Sequence, residues 1–143
     1  MKNNMDIKHF NYLPNEAKEI RTRVFVEEQG FKNEFDEVDS TATHIICYID
    51  NKAIATGRLF LDENSKEYHI GRIAVDKPYR GKGIGGKILN YAENLVKEMG
   101  GKTLSLSAQE RASRFYEKQG YCKKGEPYLD EYCPHIFMTK ELV

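Results

Sequence analysis

The sequence predicts one mixed α/β domain (α+β), with a central, mostly antiparallel sheet of about six to seven strands flanked by helices. Three observations lead there. The 143 residues are the usual size of one domain and enough to bury a sizeable core. Hydrophobic residues make up 40%, with nine Tyr and seven Phe, which favours packing over disorder. The apolar pattern runs strand, helix, three strands, helix, strand, helix, two strands, and the three consecutive strands leave no room for a crossover helix.

Met5 to Phe10 reads as a short first strand. Asn15 is placed to cap a helix through Val26, with Ala17, Ile20, Val24 and Phe25 as its apolar stripe. From Glu27 to Asp39 the chain is loop-like and carries six acids against one Lys. Thr43 to Ile49 and Ala53 to Leu61 read as strands joined by a turn at Asp50-Asn51-Lys52, and Tyr68 to Val75 follows the turn Asp62 to Ser65. After Pro78 the period changes. Ile84, Ile88, Leu89, Ala92, Leu95, Val96 and Met99 recur at helical spacing until Gly100-Gly101. Thr103 to Ser107 reads as a strand, Glu110 to Lys118 as a short helix stopped by Gly120, and strands begin at Tyr121 and at His135.

Composition excludes several classes. Basic and acidic residues balance at 22 each, so no strongly basic nucleic-acid face is indicated. Cys47, Cys122 and Cys133 are odd in number and far apart, against both a disulfide scaffold and a zinc site; the acids lack EF-hand spacing, and no metal is expected. The stretch MKNNMDIKHF has no apolar run suited to a signal peptide, and no segment is long enough to span a bilayer. The expectation is a cytoplasmic protein.

RGKGIGGKIL, from Arg80 to Leu89, fits three phosphate-binding patterns. All three use the same physics: helical N–H groups without partners, the helix dipole, and glycine backbone that approaches the oxygens closely. Their surroundings differ. A dinucleotide site needs an acid at the end of the next strand; TLSLSAQ offers none, and 57 residues after Gly86 are too few for a doubly wound sheet. A nucleoside triphosphatase needs Ser or Thr after Lys87, where Ile88 stands. The third pattern, R-x-x-G-x-G, is free of these objections.

The stretch IGRIAVDKPYRGKGIGGKILNYAENLVKEMG resembles the acetyl-CoA-binding motif of the GNAT superfamily of N-acetyltransferases. With VFVEEQGFKNEFDEVDSTATHI, AQERASRFYEKQGYCKKGEPY and PHIFM, the resemblance extends from about Ile20 to the C-terminus and is to the small bacterial ElaA/YjcF-like branch. The pieces A…FYEKQGY and PHIFM also resemble glyphosate-type N-acetyltransferases. The resemblance implies a GNAT fold and transfer of an acetyl group from acetyl-CoA (coenzyme A) to a primary amine of a small-molecule acceptor. Direct transfer in a ternary complex is expected, since no cysteine is placed as an acyl carrier near the motif. Homodimers are common in the family. The alternatives are a protein-lysine acetyltransferase and a non-catalytic acyl-CoA-binding sensor module.

Such transfer needs a deprotonated amine, donors for the oxyanion and a proton for the leaving thiolate. The resemblance places the pantetheine arm and thioester beside Ile73, Ala74 and Val75, and the pyrophosphate in the loop Arg80, Gly81, Lys82, Gly83, Ile84, Gly85 and Gly86. It makes Tyr116 the general acid, with Phe115 in the core and Ser113 within reach of the cofactor. PHIFM makes His135 the candidate base; an ordinary imidazole titrates near about 6.5 and accepts a proton at neutral pH. Arg72 matches a substrate-binding arginine of the glyphosate-type enzymes, whose two others stand here as Val26 and Gln109, a departure from an anionic phosphonate substrate. In the acidic loop, Asp36 with Glu34, Glu37 and Asp39 reads either as an attraction for a cationic amine or as solvated, turn-forming residues.

Overall fold

The computed structural model describes residues 4–143; residues 1–3, the start of the stretch read above for a signal peptide, lie outside the described residues. Seven strands make one sheet: β1 (Met5–Phe10), β2 (Thr43–Ile49), β3 (Lys52–Leu61), β4 (Tyr68–Val75), β5 (Thr103–Gln109), β6 (Cys122–Asp130) and β7 (Cys133–Glu141). Their spatial order is β1-β2-β3-β4-β5-β7-β6. Every pairing is antiparallel except β4 with β5.

That exception shapes the molecule. β4 and β5 pair only through Tyr68 with Leu104 and His69 with Ser105. Beyond these the strands part, and Ile70 to Val75 faces Leu106 to Gln109 across a cleft. A bulge adds to the divergence: Arg58 pairs with Gly71 and Thr56 with Ala74, so Gly57 opposes both Arg72 and Ile73. Arg72 accommodates the extra residue with a left-handed φ of 49°. Gly57 meets a steric need, because a Cβ there would lie 2.8 Å from Cγ2 of Ile88.

Two apolar clusters sandwich the sheet. On one face, helix α2 (Ile84–Glu98) lays Ile84, Ile88, Leu89, Ala92 and Val96 against Ile45, Ile54, Leu59, Ile70 and Leu104. These positions make the stripe expected from the sequence, although Met99 at its end is exposed. On the other face, Ile20, Val24, Phe25 and Phe31 pack with Ala74 and Cys133. Helix α1 (Asn15–Arg21) begins one residue earlier than predicted: Pro14, not Asn15, stands at the N-cap, pre-set in extended geometry, and Asn15 is already helical. Its continuation, Thr22–Glu28, is a π-helical stretch. The predicted helix over 110–118 divides into a 3₁₀ turn, Glu110–Ala112, and helix α3 (Ser113–Lys118).

Candidate active site

The parted strands, the glycine-rich loop before α2, α3 and the β6–β7 turn enclose a cavity of about 640 Å³. Its size is within the range of small-molecule sites. Ile73, Ala74 and Val75 line one wall; Leu106, Ser107 and Gln109 line the other. Along β4 the side chains alternate, Ile73 packing toward the α2 core and Ala74 toward Phe25 and Phe31.

At one end, Arg80, Gly81, Gly83, Ile84 and Gly85 border the cavity. Gly81 and Gly83 take left-handed φ values of 78° and 77°, a conformation costly for other residues. Gly83 is the N-cap of α2 and no side chain caps it, so the first turn presents its N–H groups and positive dipole end. The neighbouring glycines serve packing. A Cβ on Gly85 would lie 3.3 Å from Phe115, and one on Gly86 3.4 Å from Gln119, so α3 sits close against α2. Phe115, expected in the core, therefore lies at the cleft over a helix turn that has no side chain to cover it. Arg80 is already engaged. Its Nε donates to the Val75 carbonyl at 2.8 Å, and its guanidinium makes a bidentate pair with Glu28 at 2.7 and 2.8 Å. Lys82, Gly86 and Ser113 do not line the cavity: Lys82 extends over the Tyr79 ring and Ser113 is buried.

Tyr116 and His135 face the same cavity from α3 and β7. Burial pushes the Tyr116 phenol up to about 12. His135 is buried with its ring stacked on Tyr128 and edge-on to Phe31. Its Nδ1 lies 2.9 Å from the Cys133 carbonyl. A carbonyl only accepts, so Nδ1 carries a proton, and in the neutral ring the lone pair is on Nε2. The Tyr128 hydroxyl in turn meets Ser107 Oγ on β5.

Arg72 also lines the cavity, tied to the acidic loop: its Nε is 3.1 Å from Glu34 and its Nη2 3.5 Å from Asp36. The loop is not a free solvated chain. Arg21, only 1% exposed, grips Glu34 at 2.8 Å and Asp39 at 2.7 Å. Arg58 reaches Asp36 at 2.6 Å and Asp39 at 3.1 Å. Burial alone would raise the Asp39 carboxyl, but hydrogen bonds from Arg21 and the Asp36 N–H, with Arg58 nearby, hold it at about 2. Asp36 caps the 3₁₀ turn Glu37–Ser40 and does not line the cavity, so the turn chemistry considered for this loop is present and joined to three arginines.

Several cavity residues escaped sequence reasoning. Gln29 accepts from Gln109 Nε2 at 2.7 Å, and Arg111 donates to Gln109 Oε1 at 2.9 Å. Phe31 and Glu131 form part of the wall, with the Tyr132 ring tilted against Phe31 nearby. Glu28 and Glu131 sat among other acids without a distinguishing pattern. No helix among the described residues is long and apolar enough to cross a membrane.

The acetyltransferase (GNAT) domain model matches residues 11–142. The uncharacterized N-acetyltransferase YjcF of Bacillus subtilis (strain 168) is 34% identical over 125 residues, covering 85% of this chain and 88% of its own. The crystal structure of Escherichia coli ElaA superposes with a TM-score of 0.84 at 26% identity, covering 98% of this chain and 100% of that one. An acyl-CoA N-acyltransferase from Pseudomonas aeruginosa gives 0.82 at 26% identity, covering 97% and 99%.

Proposed function

The chain belongs to the GNAT acetyltransferase family, which acts with acyl-CoA, and on that premise we propose that it transfers an acetyl group from acetyl-CoA to a primary amine of a small-molecule acceptor. The observation that carries the reading is the meeting of three features on one cavity: the parted edges of β4 and β5, the uncapped start of α2, and the side chains of Tyr116 and His135. The site fits the cofactor by its donor set. The N–H groups from Gly81 to Gly86 and the Arg80 guanidinium suit a pyrophosphate, and the unpaired edge of Ile73 to Val75 suits an amide-bearing arm. Bound there, acetyl-CoA supplies the activated acetyl group as a thioester.

The protein's part is proton traffic and orientation. His135 Nε2, the lone-pair nitrogen of the tautomer that the Nδ1 contact selects, takes the proton that the amine must shed. Tyr116 donates toward the leaving sulfur. With its phenol at about 12, it stays protonated throughout the physiological range. Backbone N–H groups at the bulge near Ile73 polarise the acetyl carbonyl. Transfer is direct. Cys47, Cys122 and Cys133 do not line the cavity, and Cys133 is turned toward the Pro134 carbonyl.

The first test is thermal unfolding with acetyl-CoA, ATP or NAD, each in excess. A ligand at about 100 times its Kd stabilises by roughly 2.7 kcal/mol, about 9 °C for a chain of this size. A shift with acetyl-CoA alone is expected and leads to an amine screen by thiol release. A shift with ATP or NAD and none with acetyl-CoA would overturn the reading. Retained transfer in a Cys122→Ala, Cys133→Ala variant is expected; its complete loss with cofactor binding intact would establish a covalent route.

A further inference from the structure

The β6–β7 turn, Glu131–Tyr132, is joined to a segment about a hundred residues away by a contact with no role in the sheet. The Glu131 carboxylate accepts from the Lys32 N–H at 2.9 and 3.1 Å and from the Asn33 N–H at 2.9 Å. Beside it, the Tyr132 hydroxyl donates to the Gln29 carbonyl, and the Tyr132 ring packs on Phe31 at 5.3 Å. Glu131 adopts a left-handed φ of 54°, uncommon for a residue with a side chain and sustained by its surroundings. Two residues on, the Cys133 carbonyl accepts from His135 Nδ1. Phe31, held from below by the same loop, meets the His135 ring edge-on. The loop at 29–33, the turn and the imidazole are thus one assembly roofing the cavity.

We propose that Glu131 is the positioning residue of the acceptor side: its carboxylate clamps the turn to the Lys32 and Asn33 amides and thereby fixes the Cys133 carbonyl that sets the tautomer and orientation of His135. The proposal rests on the assignment of His135 as base. A carboxylate suits the task because it accepts from two adjacent N–H donors without bringing a hydrogen of its own. In Glu131→Gln one oxygen still accepts, while the amide nitrogen meets an N–H it cannot receive.

The test needs no identified acceptor. Nitrogen-15 spectra of the His135 ring at pH 8, above the ordinary imidazole range, report which nitrogen carries the proton. Wild type is expected to show Nδ1–H. In Glu131→Ala, amide exchange at Lys32 and Asn33 should rise at least about tenfold. The ring should become a mixture of tautomers, and acetyl-CoA should bind within about twofold of wild type by calorimetry. Glu131→Gln should restore part of the Nδ1–H signal, and it carries the test alone if the alanine variant fails to fold. An unchanged His135 spectrum despite fast Lys32 and Asn33 exchange would overturn the positioning role. Slow exchange at both amides would overturn the clamp. Failure of the wild-type protein to bind acetyl-CoA would instead sink the proposed function and leave the spectral comparison intact.

Discussion

Replacing Tyr116 by Phe removes one oxygen from the cavity wall and leaves the ring, so it isolates the hydroxyl. The phenol sits at about 12, raised by burial, whereas an ordinary thiol lies near about 8.5. Moving the proton fully to a free thiolate would therefore run uphill by roughly 5 kcal/mol. In the proposed role the hydroxyl would act mainly as a hydrogen bond to the sulfur as charge develops. Such a bond to a charged group is worth about 1.5–3 kcal/mol, or a 10- to 150-fold fall in kcat. The assay is stopped-flow thiol release with the best amine from the screen, paired with calorimetry for acetyl-CoA. Cofactor Kd should change by less than about threefold. Nor should Tyr116 add an alkaline limb between pH 8 and 10, because its ionisation lies higher. A loss below about twofold would refute the argument, as would a wild-type limb near pH 10 that vanishes in the Phe variant.

Arg21→Ala strands Glu34 and Asp39 in a buried site, a change that costs about 3–5 kcal/mol and should lower Tm by about 10–17 °C in calorimetry. Glu28→Gln releases Arg80 from an exposed pair worth about 0–1 kcal/mol; acetyl-CoA should bind up to about fivefold tighter, and Arg80→Ala should weaken it. His44 and His69 are both held below the ordinary imidazole value by burial, so the folded state resists their protonation while the unfolded chain accepts it near about pH 6.5. Denaturant stability should fall as the pH drops below that point, and His69→Phe, replacing a ring set between Phe60 and Phe137, should flatten the slope. Gly57→Ala forces a Cβ toward Ile88 and should cost about 1–3 kcal/mol in urea unfolding.

The strands β1, β2 and β4 and the stripe of α2 were legible because local periodicity expresses which face is buried. The glycine turn into α2 was legible for a related reason: helix start, glycines and arginine are contiguous. The acidic loop was not, since its meaning depends on Arg21, Arg58 and Arg72, which arrive from α1, β3 and β4 and become neighbours only in the folded chain. Glu131 belongs with these; in sequence it is one more acid at a turn. The π-helical stretch after Arg21 was hidden too, because its apolar residues fit an ordinary helix equally well. His135 could be singled out, but the partner that selects its tautomer is a backbone carbonyl, which no residue pattern encodes.

The two-rung contact between β4 and β5 has a consequence for the order in which the ribosome delivers the chain. By the time Gly100 emerges, all of β1 to β4, adjacent and antiparallel in the finished sheet, and the α2 that covers their apolar face have been synthesised. The backbone ladder joining that block to β5 to β7 is only two residue pairs long, and the rest of the seam is the apolar core that α2 shares with Leu104, Leu106, Ile136 and Met138. Arg80 and the glycine turn are therefore made early, while His135, Tyr116 and one wall of the cavity belong to the last segment synthesised. A chain stalled near Gly101 would carry the glycine turn without Tyr116 or His135 beside it, and the proposed site would be the last part of the growing protein to be completed.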